Sequence, residues 1–472
     1  MSTTEQIAEK NNLAKTDTAP TTIESPPPVR KTAFATALWV NTTYFAEGLP
    51  YMIVRIISTV LFTDLGLKER YLGYLNFLAI PWNLKFLWSP LLDIFGTKRR
   101  WLILMQFLIS VLTMAIAVTC YFIPNAADAT RLIAFIAVIF VGMAFVAATN
   151  DIAIDAYYLE GLTDKSEQAL YSGHRVMAYR VAMIFARSGL VAVTALLAAK
   201  FGIKTAQNPN PQGIPMALPW AYSFGVGALA MFLVTLFHAI KLPRFERKSE
   251  VKEEKKRENI WDFFGRAFFS YLQQERIALV LVFIVAYKIG DEILFSMATP
   301  FLKRELGVTN DQYYWLAGFV GAAGTVIGAM VGGWWIKRQG LKKAIWPLTI
   351  LMNFNIWAYI WLAYAKPNAA TLGGIATIAF VHGYEQVAAG LGSAALLIYL
   401  LRTCKPDFKA AHYAIGSAIM TLGGTFFGGF GGRIVEQVGY LYLFIIAFFV
   451  SIPSMVLLFW VPIKEEEKQK TS

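Results

Sequence analysis

Charge is scarce in this chain: only 16% of its 472 residues are Asp, Glu, Lys or Arg, where an ordinary soluble domain carries about a quarter. A deficit on this scale over this length excludes a water-soluble enzyme. Cysteine is nearly absent as well. Cys120 falls in an apolar run and Cys404 in a basic loop, so neither a disulfide framework nor a thiolate metal centre has ligands enough. The four histidines, His174, His238, His382 and His412, fall in different segments without metal-ligand spacing, and no nucleophile, base and orienting acid cluster along the chain. No metal, no cofactor and no catalytic activity are expected. Residues 1–31 lack the apolar stretch of a signal peptide; with the run Ser25-Pro26-Pro27-Pro28 they read as a disordered tail.

What the chain has in abundance is apolar surface: 56% hydrophobic and 15% aromatic residues, with a mean hydropathy of +0.49. A membrane-spanning helix needs about 20 predominantly apolar residues, and twelve such segments are found, at 32–62, 70–93, 101–123, 131–159, 171–200, 217–240, 276–302, 311–336, 343–365, 371–401, 411–434 and 439–462. The fold class expected is therefore an all-α, multi-pass integral membrane protein. The net charge of +12 does not indicate nucleic acid, because the basic residues sit in short clusters between apolar runs, as membrane orientation requires. Lys98-Arg99-Arg100, the stretch 241–275, Lys337-Arg338, Lys342-Lys343, Arg402, Lys405 and Lys409 share the side of the termini. The opposite loops hold only scattered charges such as Lys68, Arg70, Lys200, Lys204, Lys303 and Lys366. By the positive-inside rule both termini are expected in the cytoplasm. The expected organisation is a tail (1–31), a first six-helix half (32–240), a basic cytoplasmic linker (241–275), a second six-helix half (276–462) and a short cytoplasmic tail (463–472). Ile260-Trp261-Asp262-Phe263-Phe264 in the linker suits an amphipathic stretch on the membrane surface.

The halves echo one another. The second span leads into Asp93-Ile94-Phe95-Gly96-Thr97-Lys98-Arg99-Arg100, and the eighth into Ile336-Lys337-Arg338-Gln339-Gly340-Leu341-Lys342-Lys343. Gly96 and Gly340 align at an offset of 244, which also carries Glu47 onto Asp291. Two coincidences in register point to a duplicated unit. Paired six-helix halves, each with a basic turn after its second helix, resemble the major facilitator superfamily. Asp93-x-x-Gly96-x-Lys98-Arg99 is similar to its loop motif, and the resemblance implies that Asp93 and Arg99 join the cytoplasmic helix ends and bias the conformational switch.

Ionisable groups at membrane depth cost roughly 2.5–3.5 kcal/mol each on insertion scales, which makes each a functional candidate. Glu47 falls near the midplane of the first span, just before Gly48-Leu49-Pro50, a sequence that suits a helix break, and Arg55 follows two turns on. Lys288, Asp291 and Glu292 share one face of the seventh span. His382 and Glu385 lie at similar depth in the tenth. Together these groups suit a central cavity, with Glu47, Asp291, Glu292 and Glu385 as proton-coupling candidates and Arg55, Lys288 and His382 as substrate-binding candidates. Arg180 and Arg187 are seven residues apart on one helix face and join the substrate-binding candidates, since Arg187 is too deep to snorkel and suits an anionic ligand. Nearer the cytoplasm, Lys85, Asp93, Asp151, Asp155 and Arg175 read as an ion-pair network that holds or gates helix ends. For the midplane acids two readings stand side by side, proton relay and fixed pairing with Lys288 or Arg55. The stripes Gly324-x3-Gly328-x3-Gly332 and Gly424-x3-Gly428-x3-Gly432 are small-residue faces for close helix packing. Tyr157-Tyr158 and Tyr313-Tyr314-Trp315 read as interfacial belt residues.

More specific strings narrow the resemblance. Tyr44-Phe45-Ala46-Glu47-Gly48-Leu49-Pro50, Lys85-Phe86-Leu87-Trp88-Ser89-Pro90-Leu91-Leu92-Asp93, Asn150-Asp151-Ile152-Ala153-Ile154-Asp155-Ala156, Tyr287-Lys288-Ile289-Gly290-Asp291 and Thr299-Pro300-Phe301-Leu302 resemble the AmpG muropeptide permeases and the related acetyl-CoA transporters, over roughly residues 35–460. The resemblance implies an inner (plasma) membrane protein that imports anhydromuropeptides, anionic sugar-peptides released from the cell wall, with protons as the driving ion and without a cofactor. A monomer is expected. Glu292 beside Asp291, His382 ahead of Glu385 and Asn150 in place of the family's Gln depart from the pattern. An acyl-CoA or peptide transporter of the same fold is the alternative, and a non-transporting membrane sensor a more distant one.

Overall fold

A computed structural model of the protein describes residues 33–245, 260–405 and 408–463. The helices are α1 (Ala33–Asp64), α2 (69–94), α3 (Lys98–Asn125), α4 (Ala129–Gly161), α5 (Ser166–Lys200), α6 (Ile214–Lys241), α7 (Ile260–Leu272), α8 (277–305), α9 (Asn310–Gln339), α10 (Leu341–Ala365), α11 (Leu372–Thr403), α12 (Lys409–Gly429) and α13 (Gly431–Leu457). No strand occurs among the described residues. A first compact unit ends at Leu38, inside α1; all that follows concerns the second, from Trp39 on.

Nine of the described helices, α1, α3, α4, α5, α6, α9, α10, α11 and α13, are long and apolar enough to cross a membrane on their own. The others differ for identifiable reasons. α2 is a succession of short α and 3-10 pieces, because Pro81 and Pro90 each remove a backbone donor. α8 carries Lys288, Asp291 and Glu292 at its centre. α12 is rich in Ala and Gly and therefore only moderately apolar. In α7 the linker does form a helix; residues 246–259 of the linker, both tails and the side chain of Asp93 lie outside the described residues.

Wide π-turns interrupt the long helices at Ile53–Ile57, Phe185–Leu190, Phe301–Glu305 and Leu316–Val320. The expected break at Gly48-Leu49-Pro50 is thus displaced. α1 stays helical through Pro50 and widens only beyond Met52; the Ala46 carbonyl that the proline leaves without a backbone donor accepts from Asn150 Nδ2 at 3.0 Å. Three of these turns carry buried or half-buried cations: Arg55, Arg187 and the pair Lys303 and Arg304. Such turns recur at functional sites because they leave backbone and side chains free of the regular ladder.

Glycine stripes bring helices into direct contact. A Cβ on Gly328 would lie 2.0 Å from the Val387 carbonyl oxygen, and one on Gly390 2.4 Å from that of Thr325, so α9 and α11 touch backbone to backbone. In the second stripe Gly424 faces Glu292 of α8 and Gly428 faces Asn76 of α2. The two glycines aligned by the internal repeat, Gly96 and Gly340, both adopt positive φ, 74° and 79°, a conformation that only glycine takes without strain.

Candidate functional site

The π-turns of α1 and α5 and the charged centre of α8 converge on one cavity of about 360 Å³. α1 lines it with Tyr51, Met52, Arg55 and Ile56, α5 with Arg180, Met183 and Arg187, α8 with Lys288, Asp291, Glu292 and Phe295, α9 with Thr325, and α11 with Glu385, Gln386, Ala389 and Ser393. Arginines and acids occupy different walls. α1 and α5 contribute three arginines and no acid, while α8 and α11 contribute all three carboxylates and one lysine.

The acid-bearing wall is partly self-satisfied. Lys288 Nζ donates to Asp291 Oδ2 at 2.6 Å, one turn along the same helix. Glu385, 2% exposed, accepts from Gln386 Nε2 at 2.8 Å. The arginines are not. Arg55 Nη1 donates to the Asn76 carbonyl at 2.8 Å, but its Nε has no partner. Among the described residues Arg180 reaches only the Met183 sulfur, at 3.9 Å, a weak acceptor. Arg187 is 9% exposed and its Nε has no partner. Among the described residues none of the three forms an ion pair within 4 Å. Buried guanidinium groups without a carboxylate are costly, and a planar fork with free donors is suited to carboxylate or phosphate.

Two residues expected in this cavity sit elsewhere. Glu47 lies on the same face of α1 as Tyr51 but one turn before it, outside the cavity lining, and packs against Asp151. His382 lies behind the wall, where its Nδ1 is 2.9 Å from the Tyr359 hydroxyl and 3.7 Å from Glu385 Oε2. Gly321 makes room for the ring: a Cβ there would be 3.2 Å from His382 Nε2.

Glu47 joins a second cluster. Lys85 pairs with Asp151, Arg175 Nη2 donates to Asp155 Oδ1 at 2.8 Å, and the Tyr44 hydroxyl donates to the same oxygen at 2.9 Å. The Arg175 guanidinium lies over the rings of Tyr44 and Tyr158, 4.4 and 4.6 Å from their centroids. Arg99 does not reach this cluster. Its guanidinium caps the end of α6, donating to the carbonyls of Ala239 at 2.6 Å and Leu242 at 3.2 Å, which satisfies orphan acceptors at a helix C-terminus.

A third cluster, at the opposite helix ends, gave little sign of itself in the sequence. Lys303, expected as a loop charge, is fully buried in the π-turn of α8 with its Nζ 2.9 Å from Asp64 Oδ1. The other Asp64 oxygen accepts from Trp220 Nε1 at 3.0 Å and Asn310 Nδ2 at 2.9 Å. Arg304 ties Glu69, Leu67 and Thr63 to α8 at 2.8, 2.6 and 2.8 Å, and Arg70 pairs with Glu436 at 2.6 Å. Pro300 beside two cations was the available signal, since it foretells a disturbed helix end. The aromatic groups also differ from expectation: Tyr157, Tyr158 and Tyr313 are buried rather than interfacial, because each hydroxyl has an internal partner, Pro243 O, Gln168 O and Thr299 Oγ1.

Comparison with known proteins decides the family. The model described as Major Facilitator Superfamily matches residues 40–389. The chain belongs to the major facilitator superfamily. Within it, the chain is 26% identical to the anhydromuropeptide permease of Escherichia coli (strain K12) over 88% of this chain and 77% of that one. It is 24% identical to a putative transporter AmpG 4 of Rickettsia conorii, over 89% and 94%, and 28% identical to an uncharacterized protein of Haemophilus influenzae, over 91% and 95%. Among solved structures of the major facilitator fold, the inward-open xylose transporter XylE from E. coli is similar with a TM-score of 0.62, at 12% identity over 92% of this chain and 97% of that one. A bacterial homologue of the human lysosomal transporter Spinster gives 0.60, at 17% identity over 91% and 97%. The chain is thus a multi-pass inner (plasma) membrane transporter of the major facilitator kind, a family of transporters rather than enzymes, with AmpG permeases among its relatives.

Proposed function

We propose that the protein is a proton-coupled importer of anhydromuropeptides that works by alternating access. In this reading twelve spans form two six-helix halves, 32–240 and 276–462, joined by the linker 241–275, with both termini in the cytoplasm, and the chain acts as a monomer. The observation that carries the reading is the set of unpaired arginines in the cavity. Arg55, Arg180 and Arg187 lack carboxylate partners, so an anionic sugar-peptide supplies the missing charge on the α1 and α5 wall. Glu385, with Asp291 and Glu292, takes up the coupling proton on the opposite wall, from which Lys288, paired with Asp291, also reaches the substrate. Similarity to the E. coli permease supports the substrate class.

The remaining groups act on the conformational change. Lys85, Asp151, Asp155 and Arg175, with Glu47 beside them, hold the helix ends on one side of the cavity, and Arg99 holds α6. Asp93 completes that side by resemblance to the loop motif. His382 supports the cavity wall from behind.

The experiment is uptake of labelled anhydromuropeptide into proteoliposomes of the purified protein, challenged with excess unlabelled anhydromuropeptide or with acyl-CoA. Saturable uptake suppressed by the first and untouched by the second supports the reading. Uptake suppressed only by acyl-CoA, or absent in correctly folded protein, overturns the substrate.

A further inference from the structure

Gln386 and Thr325 were not among the residues singled out from sequence, yet they make the most complete side-chain chain in the cavity wall. Thr325 of α9 and Glu385 and Gln386 of α11 all line the cavity. Gln386 is 8% exposed. Its Nε2 is 2.8 Å from Glu385 Oε2, and its Oε1 is 2.8 Å from Thr325 Oγ1. Thr325 Oγ1 is also 2.9 Å from the Gly321 carbonyl oxygen. The chain therefore runs from a cavity carboxylate on one helix to the backbone of the next. Close approach of the two helices makes it possible: a Cβ on Gly324 would already be 3.0 Å from the Gln386 Cβ.

The donors and acceptors of this chain can be counted. A hydroxyl has one hydrogen, so Thr325 donates either to Gln386 or to Gly321, not to both. A primary amide has a donor end and an acceptor end that exchange places by a half-turn of the terminal bond. With Glu385 ionised, the amide N–H donates to the carboxylate, and the amide oxygen accepts the Thr325 hydrogen. With Glu385 protonated, the carboxyl O–H donates to the amide oxygen, the turned amide N–H donates to Thr325 Oγ1, and the Thr325 hydrogen returns to Gly321. Both arrangements satisfy every member, which a buried chain requires. A plain carboxylate in this place would be satisfied in one protonation state only.

We propose that Gln386 and Thr325 are positioning residues that make Glu385 a reversible proton site, by a reorientation of the Gln386 amide that follows the charge of the carboxyl. The proposal rests on the reading of Glu385 as a proton carrier. Other groups face Glu385 from every neighbouring helix: His382 on its own helix, Lys288 and Asp291 on α8, Arg187 on α5, and Tyr359 on α10 through His382. Replacing Thr325 leaves all of them in place.

The test is infrared difference spectroscopy of the full-length protein in lipid, titrated with pH, which reads the carbonyl band of a protonated carboxyl without any substrate. A band that is lost in Glu385→Gln belongs to Glu385. Thr325→Val removes one hydroxyl and is expected to change the proton affinity read from that band about two- to tenfold, the effect of one hydrogen bond. Thr325→Ser restores the parental titration. Gln386→Met, which keeps the length and removes both arms, changes it further. If Thr325→Val and Gln386→Met titrate like the parent, the positioning role is overturned while Glu385 stands as a proton site. If no band is lost in Glu385→Gln, both fall. Transport of a different substrate would leave the titration as predicted, so the substrate reading fails separately.

Discussion

Lys303 Nζ and Asp64 Oδ1 lie 2.9 Å apart with both side chains fully buried, and each belongs to a different proposed half of the molecule. Asp64 closes α1 and Lys303 sits in the π-turn that follows Pro300 in α8. Trp220 and Asn310 complete the shell around the carboxylate. In the alternating-access reading proposed above, this is a contact that parts when the halves rock.

Removing one partner strands a buried charge. Lys303→Met and Asp64→Asn are each expected to destabilise the protein by about 3–5 kcal/mol, read as thermal unfolding in lipid. The double replacement is expected to recover most of the loss, because an uncharged pair carries no desolvation penalty. Additive losses in the double variant would show that the two residues act independently.

Arg187→Ala is expected to weaken substrate binding about 10- to 100-fold, the worth of a charge-assisted hydrogen bond, with unfolding temperature little changed. Binding to the purified protein by calorimetry checks it. Loss of folding with the substitution would instead assign Arg187 to the scaffold.

Gly328→Val places a side chain where a Cβ alone would be 2.0 Å from the Val387 carbonyl oxygen. It is expected to separate α9 from α11 and lower stability by at least about 1–3 kcal/mol. Gly142→Ala is the control, since a Cβ at Gly142 meets nothing within 4 Å. Parallel unfolding curves of the two variants measure the difference.

Spacing along one helix was legible in the sequence and partners across helices were not. Lys288 and Asp291 are three residues apart, and that periodicity suffices to place their contact. The internal repeat is legible as well, since Gly96 and Gly340, aligned by its offset, share a positive φ. The offset that relates Glu47 to Asp291 does not survive as a shared environment. Asp291 lines the cavity, and Glu47 turns to Asp151. Glu47 shares its helix face with Tyr51 and differs from it by one turn of height, so approximate depth and face together do not identify a cavity group; the partner on the neighbouring helix decides. Asp64 with Lys303, and Gln386 with Thr325, are visible only once distant helices are packed, because nothing local distinguishes Gln386 from any other polar residue in an apolar run.

The central claim is that one cavity couples substrate to proton through Glu385. The most direct measurement compares Glu385→Gln with the parent in proteoliposomes, by accumulation of labelled anhydromuropeptide under an inward proton gradient and by counterflow exchange without one. The account predicts that the variant loses gradient-driven accumulation and keeps exchange. Accumulation that persists in the variant, or equal loss of both activities in folded protein, would contradict it.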